Sequence, residues 1–145
     1  MSKEYAPIEE LLIHRFPFLY VDKLIDVTEK RTVGERYFGP DEPFFAGHFP
    51  EYPVVPGVIL IETMAQCGGA GLRQLGILEK GALFVLATVE KVKFRQQVRP
   101  GDTVRIEVEN LRVSRQVIRQ SGKIYVDNSI AAEAAWMCIL GDKNA

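Results

Sequence analysis

The residue with the clearest chemical potential is Glu62, which lies in the middle of a long apolar segment. A carboxylate there is costly to bury unless it is neutral, paired or hydrogen-bonded. Desolvation raises its pKa, so the group can stay protonated near neutral pH and give a proton to a leaving oxygen. Gln66, one helical turn later on the same face, can hold the carboxyl group in one rotamer. A structural ion pair with an Arg or Lys from a neighbouring strand is the alternative interpretation.

His48 is the second candidate, in a loop of aromatic residues, Gly and Pro that includes Phe49. These neighbours can hold a neutral imidazole against a dry pocket, where it accepts a proton as a general base does. Taken alone, a histidine without special spacing is more often structural. The proximity of His48 to Pro56 and Glu62 in the sequence favours catalysis. His14, the only other histidine, is interpreted as a structural residue ahead of the first strand.

Pro56 and Gly57 stand where a helix is predicted to begin. The free N–H of Gly57 and the positive end of the helix dipole then point at whatever lies in front of the helix. Such an amide suits a developing negative oxygen, and a glycine allows a ligand to approach closely. An ordinary helix start with no functional role is the alternative interpretation.

One long helix, predicted over residues 56–75, must position Gly57, Glu62 and Gln66. Its first half is apolar on every side, which indicates a helix enclosed by other elements. The small residues at 68–71 allow another backbone to approach closely, with a second copy of the same helix as one candidate. A short helix is also predicted over residues 8–12.

Alternating or continuous apolar runs predict the strands that surround this helix. The last of them is rich in alanine and also fits a helix, but we interpret it as a strand. The pattern predicts an α+β fold, with a curved antiparallel sheet of five to six strands wrapped around the long central helix. Because a sheet covers only one side of a helix, a symmetric dimer is expected to cover the other side. The predicted strands are residues 18–27, 32–38, 82–94, 103–113, 117–126 and 130–140.

The chain as a whole has 145 residues and a formal net charge of −1. This length predicts one domain over residues 1–145, and the near-neutral charge offers no field for nucleic acid. No apolar run is long enough for membrane insertion, and the start lacks the pattern of a secretory signal, so a cytoplasmic location is expected. Cys67 and Cys138 lie in apolar segments without metal-ligand spacing, so we expect reduced core thiols and no metal site.

Basic residues gather in the later strands of this nearly neutral chain. They fit a docking patch for an acidic carrier protein, and they fit a plain solvated face equally well. These residues are Lys91, Lys93, Arg95, Arg99 and Arg112.

Three consecutive motifs carry a resemblance to a known family: Gly-His-Phe-Pro at 47–50, Pro-Val-Val-Pro-Gly-Val at 53–58 and Glu-Thr-Met-Ala-Gln at 62–66. Together they resemble the signature of the beta-hydroxyacyl-acyl carrier protein dehydratases of fatty acid synthesis. The similarity extends to His-Arg-Phe-Pro-Phe-Leu at 14–19, to Pro-Gly-Asp at 100–102 and to Ala-Glu-Ala at 132–134. It therefore covers nearly the whole chain.

The resemblance implies a hot-dog fold that works as a homodimer, commonly as a trimer of dimers, with each site shared by two subunits. By this likeness His48 of one subunit faces Glu62 of the other, the Gly57 N–H holds the thioester carbonyl, and the Val54 carbonyl orients the imidazole. Gln66, Phe49 and Pro56 complete the expected substrate-binding residues.

The implied reaction converts a (3R)-3-hydroxyacyl-acyl carrier protein to its trans-2-enoyl form, with no metal or organic cofactor. Glutamate rather than aspartate at position 62 resembles the branch that dehydrates without isomerising the double bond. Glu51-Tyr52 and Gln96-Gln97 depart from the commoner pattern, which bears on carrier docking or chain preference.

Two rival functions stay open for the sequence. In a hot-dog acyl thioesterase, Glu62 would activate water to attack the carbonyl. In a non-catalytic subunit that binds acyl carrier protein, His48 would be dispensable. A crotonyl thioester assay distinguishes hydration from thiol release, and chain length, pathway and the oligomer beyond a dimer are left undetermined.

Overall fold

A computed structural model describes residues 4–141, in which six strands form one antiparallel sheet in the order β1-β2-β4-β5-β6-β3. The sheet packs around one long helix, which confirms the predicted α+β architecture and the hot-dog fold. In chain order the elements are α1 (Ile8–Leu11), β1 (Lys23–Val27), β2 (Arg31–Tyr37), α2 (Pro43–Gly47), α3 (Gly57–Gln74), β3 (Leu83–Phe94), β4 (Thr103–Val113), β5 (Val117–Val126) and β6 (Ser129–Gly141).

Strand β4 buries one face against α3 and leaves the other face polar. In β4, Val104, Ile106 and Val108 are fully buried, whereas the alternate residues Arg105 and Glu107 form an ion pair on the opposite face. This two-residue period matches the prediction for a half-buried strand. The alanine-rich run at the end of the described chain is strand β6, because it pairs with both β5 and β3.

The chain departs from the predicted elements in two places. The strand predicted from residue 18 begins only at Lys23, and the backbone of Phe18 and Tyr20 binds a side chain instead of another strand. Gln66 accepts a hydrogen bond from the Tyr20 N–H at 2.8 Å and donates one to the Phe18 carbonyl at 3.0 Å. The second departure is α2, which lies in the proline-rich segment expected to be a loop. Five residues are too few for a helical period to show in a sequence.

The small residues in the second half of α3 contact the chain's own sheet. A Cβ added at Gly68 would meet Gln120, and one added at Gly71 would meet Thr32. Side chains of the chain's own sheet therefore pack against these small residues, where a second copy of the helix was one candidate in the sequence analysis. Gln120 is itself buried and accepts a hydrogen bond from the Trp136 indole at 3.2 Å, so α3 lies on an ordered polar contact.

Both cysteines are free and buried, as expected for core thiols. Burial raises the pKa of Cys67, and burial together with the charge of Glu62 raises the pKa of Cys138 to about 12. In the described part of the chain, no helix has the length and apolarity that crossing a membrane requires.

Candidate active site

His48 stands at the C-terminal cap of α2, where its backbone N–H donates to the Phe44 carbonyl at 2.9 Å. The helix is anchored by Phe45, which is buried, and by Phe44, whose ring packs edge-on against Phe38. The imidazole Nδ1 of His48 lies 3.0 Å from the Val54 carbonyl oxygen. A carbonyl accepts and does not donate, so this contact requires a proton on Nδ1 and leaves Nε2 as the lone-pair nitrogen of the neutral ring.

The backbone after His48 turns sharply at Phe49, which has a φ of 57°. A left-handed conformation is uncommon for an aromatic residue, and such strain is found disproportionately at functional sites. The loop is then fixed at its far end, where the Val55 N–H donates to the Val98 carbonyl at 2.8 Å. Tyr52 adds a hydrogen bond from its hydroxyl to Gln97 at 3.0 Å. The imidazole is thus mounted on a short segment that is held at both ends.

An ionic cluster that the sequence analysis did not identify holds the start of α2. Arg36 on β2 forms an ion pair with Asp22 at 3.0 Å and a second one with Glu42, the N-cap residue of α2. The guanidinium group also lies 5.1 Å from the centroid of the Phe38 ring. Asp22 follows the family-like motif at 14–19, but the spacing between Asp22 and Arg36 in the sequence did not predict that the two would form an ion pair. The cluster ties the helix that carries His48 to the sheet.

The N-terminus of α3 begins at Gly57, with Pro56 as its N-cap residue. The N–H groups of the first helical turn have no acceptor within the helix, so the amide of Gly57 is available to a ligand. A Cβ at this position would come within 2.7 Å of the Phe94 ring, so the site requires glycine for the ring to lie there. Phe94 and Val58 are 53% and 71% exposed, which makes the surroundings of this amide apolar and uncovered in a single chain.

Glu62 lies on α3, and its side chain is only 20% exposed. Burial raises the pKa of its carboxyl group, and a hydrogen bond from Gln66 counteracts part of that rise. This bond runs from Gln66 Nε2 to Glu62 Oε2 at 2.9 Å. The direction of the shift agrees with the expected protonated carboxyl group. No described Arg or Lys forms an ion pair with Glu62, so the alternative of a structural ion pair with the sheet has no support among residues 4–141.

His14 is the residue of this site that the sequence analysis missed. Its Nε2 lies 3.6 Å from Glu62 Oε2, on the same carboxyl oxygen that Gln66 binds. The ring also packs against Phe84, with 5.8 Å between centroids. Burial, and secondly the charge of Arg15, lower the pKa of His14. The only sequence signal was the position of His14 in the family-like motif at 14–19.

Within a single chain, no hydrogen bond or ion pair among the described residues joins His48 to Glu62. The partner of the His48 ring is Val54, and the polar partners of the Glu62 carboxyl group are Gln66 and His14. A groove of about 280 Å³ does lie on the sheet face opposite α3, but its lining contains neither residue of the expected pair.

Strand β3 is an edge of the sheet and exposes a row of apolar side chains. It pairs only with β6, so one side of its backbone is unpaired within residues 4–141. A long apolar edge strand is a template for pairing with another chain. The exposed apolar residues along it are Leu83, Val85, Val89, Val92 and Phe94.

The basic residues of the later strands do not form one continuous patch. Arg95 is engaged by Glu133 through two contacts of 3.2 and 3.3 Å, and the hydrogen bond from Arg95 is the main cause that lowers the pKa of Glu133. Arg99 lies 4.2 Å above the centroid of the Tyr52 ring. Arg112 lies elsewhere, exposed near the end of β4 and opposite Arg119 on β5. Only part of the predicted docking patch is therefore free to meet a partner.

Residues 12–135 match the model of the FabA-like domain family. The chain is 44% identical over 137 residues to the 3-hydroxyacyl-[acyl-carrier-protein] dehydratase FabZ of Desulforamulus reducens, which covers 94% of this chain and 96% of the relative. It is 42% identical over 139 residues to the enzyme of the same name from Geobacillus thermodenitrificans, with 95% of each chain covered.

Among solved structures, the dehydratase heterocomplex ApeI:P from Xenorhabdus doucetiae is similar, with a TM-score of 0.85. The sequence identity is 20%, and the match covers 97% of this chain and 95% of the other. At this identity the likeness supports the fold.

Proposed function

The chain belongs to the FabA-like domain family and is a 3-hydroxyacyl-[acyl-carrier-protein] dehydratase of fatty acid synthesis, and we propose that His48 of one subunit and Glu62 of another form its catalytic pair. The observation that carries this pairing is the buried Glu62 carboxyl group of raised pKa, bound by Gln66 and not bonded to His48 of its own chain. A second subunit is then needed to bring the His48 imidazole to the carboxyl group.

In the proposed reaction, the thioester carbonyl of the substrate accepts a hydrogen bond from the Gly57 N–H. This bond stabilises negative charge on the carbonyl oxygen and so acidifies the C2–H bond; one such donor in a dry site lowers a barrier by about 3 kcal/mol. Nε2 of His48 takes the C2 proton, and the electrons of the broken C–H bond form the C2=C3 double bond. Protonated Glu62 gives its proton to the departing C3 hydroxyl group, which leaves as water.

The products are a trans-2-enoyl thioester, an imidazolium at His48 and a carboxylate at Glu62. Return of one proton from His48 to solvent and uptake of one proton by Glu62 restore the starting state. The thioester itself acidifies C2 and the pair handles both protons, so we expect the reaction to need no metal or organic cofactor. We place the acyl chain beside the apolar first turn of α3, near Val58 and Phe94.

The second subunit is proposed to be another copy of the chain, bound along the β3 edge. Pairing of two β3 strands would continue the sheet and cover the exposed apolar side chains of both copies. It would also bring a second copy of the segment that follows Phe94 close to the open end of α3. Further association into a trimer of dimers follows from the resemblance alone.

Acyl carrier protein is the proposed partner that delivers the substrate. Lys91, Lys93 and Arg99 leave positive charge near the β3 edge, where an acidic carrier would be steered. Glu51, Tyr52 and Gln97 adjoin this region and are expected to affect docking more than chemistry. We expect the enzyme to work in the cytoplasm.

The decisive experiment is hydration of enoyl thioesters of graded chain length, from crotonyl upward, by the purified full-length protein. Loss of enoyl absorbance reports hydration, and a thiol reagent reports hydrolysis. We expect hydration without thiol release, with the rate varying over the length series. Thiol release without hydration would identify a thioesterase, and neither reaction in a folded protein would identify a non-catalytic subunit.

The same assay tests the catalytic pair. His48→Asn and Glu62→Gln are each expected to lower kcat by about 10²–10⁴-fold, the usual contribution of a positioned acid or base. Glu79→Gln makes the same chemical change at an exposed glutamate outside the site and should leave kcat unchanged. Near wild-type activity in either site variant would contradict the assignment.

A further inference from the structure

We propose that His14 is a positioning residue which, together with Gln66, determines which oxygen of Glu62 carries the acidic proton. The inference rests on the proposed function, because it concerns the same carboxyl group. It gives a role to a histidine that would otherwise be a packing residue before the first strand.

Both polar contacts of the carboxyl group converge on one atom. Gln66 Nε2 donates to Glu62 Oε2 at 2.9 Å, and His14 Nε2 lies 3.6 Å from the same oxygen. Gln66 is itself fixed by the Tyr20 N–H and the Phe18 carbonyl, which leaves its amide group one orientation. An oxygen that accepts a hydrogen bond from such a donor acts as the carbonyl oxygen of a neutral carboxyl group. The acidic proton then lies on Oε1, the oxygen left for the substrate.

The environment of His14 selects one tautomer of its ring. Nδ1 is buried, and no described residue forms a hydrogen bond with it. A proton on Nδ1 would be a buried donor without an acceptor, which costs more than a buried lone pair beside apolar atoms. The same cost disfavours the imidazolium, which carries protons on both nitrogens. The ring is therefore neutral with its proton on Nε2, between His14 and Glu62 Oε2.

A neutral Nε2–H donor reinforces Gln66, because both present protons to Oε2. At 3.6 Å the contact of His14 is longer than a hydrogen bond in the isolated chain. Hydrogen bonds at catalytic groups commonly shorten when substrate is bound, and we expect the same here. Without His14, Gln66 would be the one residue among 4–141 with a described contact that distinguishes the two oxygens.

Few other titratable groups act on this carboxyl group. Tyr20 and Cys138 feel its charge, although burial is the largest cause of the raised pKa of each. Both are neutral near pH 7, and neither forms a described hydrogen bond with Glu62. His48 of the partner subunit is proposed to face the same carboxyl group, and it is unchanged in every His14 variant. A difference between the His14 variants in the titration of Glu62 can therefore be assigned to the residue at position 14.

The first test compares His14→Phe, which keeps a ring against Phe84 but has no donor, with His14→Gln, which keeps an N–H donor. Dehydration of a 3-hydroxybutyryl thioester is measured from about pH 5 to about pH 10, a range that spans the titration of a carboxyl group of raised pKa. We expect His14→Phe to lower kcat about tenfold, the effect of one hydrogen bond of ordinary strength, with little change in KM. His14→Gln should retain most of the wild-type kcat.

The pH profile separates positioning from packing. An N–H donor stabilises a carboxylate more than a neutral carboxyl group, so its removal raises the pKa of Glu62 further. Because Glu62 must be protonated to act as an acid, the alkaline limb of kcat/KM should move to higher pH in His14→Phe and stay in place in His14→Gln. The proposal would be overturned if His14→Phe kept the wild-type kcat and the wild-type alkaline limb of kcat/KM. It would also be overturned if both variants lost kcat equally and neither alkaline limb moved.

A second measurement needs no substitution at His14. The chain has only two histidines, so ¹⁵N-histidine spectra of the wild type and of His48→Asn assign both rings directly. We expect His14 to be the neutral Nε2–H tautomer at pH 7, and an Nδ1–H tautomer or an imidazolium there would refute the inference. Enoyl hydration by the wild type is measured independently of the tautomer. If the enzyme is active but His14 is a different tautomer, only the proposed role of His14 is wrong. Absence of hydration defeats the proposed function.

Discussion

At the scale of single residues, the proposed chemistry depends on how one buried carboxyl group, that of Glu62, is surrounded. Burial raises the pKa of Glu62, and the hydrogen bond from Gln66 opposes this effect without cancelling it. The group is thereby kept closer to its protonated form near neutral pH, which a general acid requires. Such an arrangement favours catalysis at a cost in stability, because an ionisable group is held where its charged form is disfavoured.

This cost predicts a pH-dependent effect of Glu62→Gln on stability. A carboxyl group with a raised folded pKa contributes stability below its unfolded pKa, near 4.5, and loses that contribution as pH rises through the folded pKa. Glutamine does not titrate, so the variant should be more stable than the wild type at about pH 7–8. The advantage should shrink as the pH falls towards the unfolded pKa.

Thermal and urea unfolding across this pH range measure the difference. Glu79→Gln, at an exposed position, serves as the control and should show no such trend. A stability difference that is constant with pH, or that grows towards acid pH, would contradict the raised pKa of Glu62.

At the scale of elements, α3 is fixed against the sheet by glycines that admit large side chains. The side chains of Gln120, Phe84 and Thr32 occupy the space that a Cβ would fill at Gly68, Gly69 and Gly71, respectively. Each of these three contacts therefore requires glycine. Phe84 also packs against His14, which links this part of α3 to the site. The register of α3 on the sheet therefore determines where Glu62 lies.

Gly71→Ala should consequently destabilise the protein. The new Cβ would lie 2.7 Å from Thr32 Cβ, and overpacking of a core costs about 1–3 kcal/mol. The higher helix propensity of alanine offsets up to about 1 kcal/mol, so we expect a net loss of about 1–2 kcal/mol.

Urea unfolding measures this loss against Gly47→Ala, where an added Cβ meets no heavy atom within 4 Å. The control should unfold at the same urea concentration as the wild type, or slightly above it. Equal stability of the two variants would show that α3 can shift on the sheet at little cost.

At the scale of the whole molecule, one chain holds each half of the proposed site in place but does not join the halves. Val54 positions His48 on α2, and Gln66 positions Glu62 on α3. The apolar edge of β3 and the exposed first turn of α3 offer a surface on which a second copy can complete both sites. In the proposed function, assembly of two copies is therefore a condition of catalysis.

A mixing experiment tests this arrangement. His48→Asn and Glu62→Gln are co-expressed with different tags, and each protein alone should be nearly inactive. If sites are shared, a mixed dimer contains one site with both native residues and one site with neither. Random pairing makes half of the dimers mixed, so about a quarter of the wild-type activity should return.

Co-expression of His48→Asn with His48→Ala is the matched control, because no pairing of these chains restores an imidazole. It should give no recovery. Equal inactivity of the test mixture, with mixed dimers demonstrated by the two tags, would place both catalytic residues in one chain.

The amino-acid sequence by itself determined the architecture, the substrate class and the candidate pair. Hydrophobic periodicity is local, so the strands and the enclosed helix could be predicted from it, including the alternation of Val104, Ile106 and Val108. A carboxylate is costly in an apolar helix, and for that reason Glu62 was identifiable from its neighbours along the chain. The resemblance of the motifs supplied the substrate class, which periodicity does not contain.

Only the tertiary structure decided which distant residues meet. His14 and Glu62 are far apart in sequence, and no local pattern records that the segment before β1 crosses α3 and brings an imidazole to 3.6 Å from the carboxyl group. The same holds for Arg36, whose ion pairs with Asp22 and Glu42 fix α2. Local propensities determine elements, whereas the contacts between elements depend on how one packed core accommodates all of them at once.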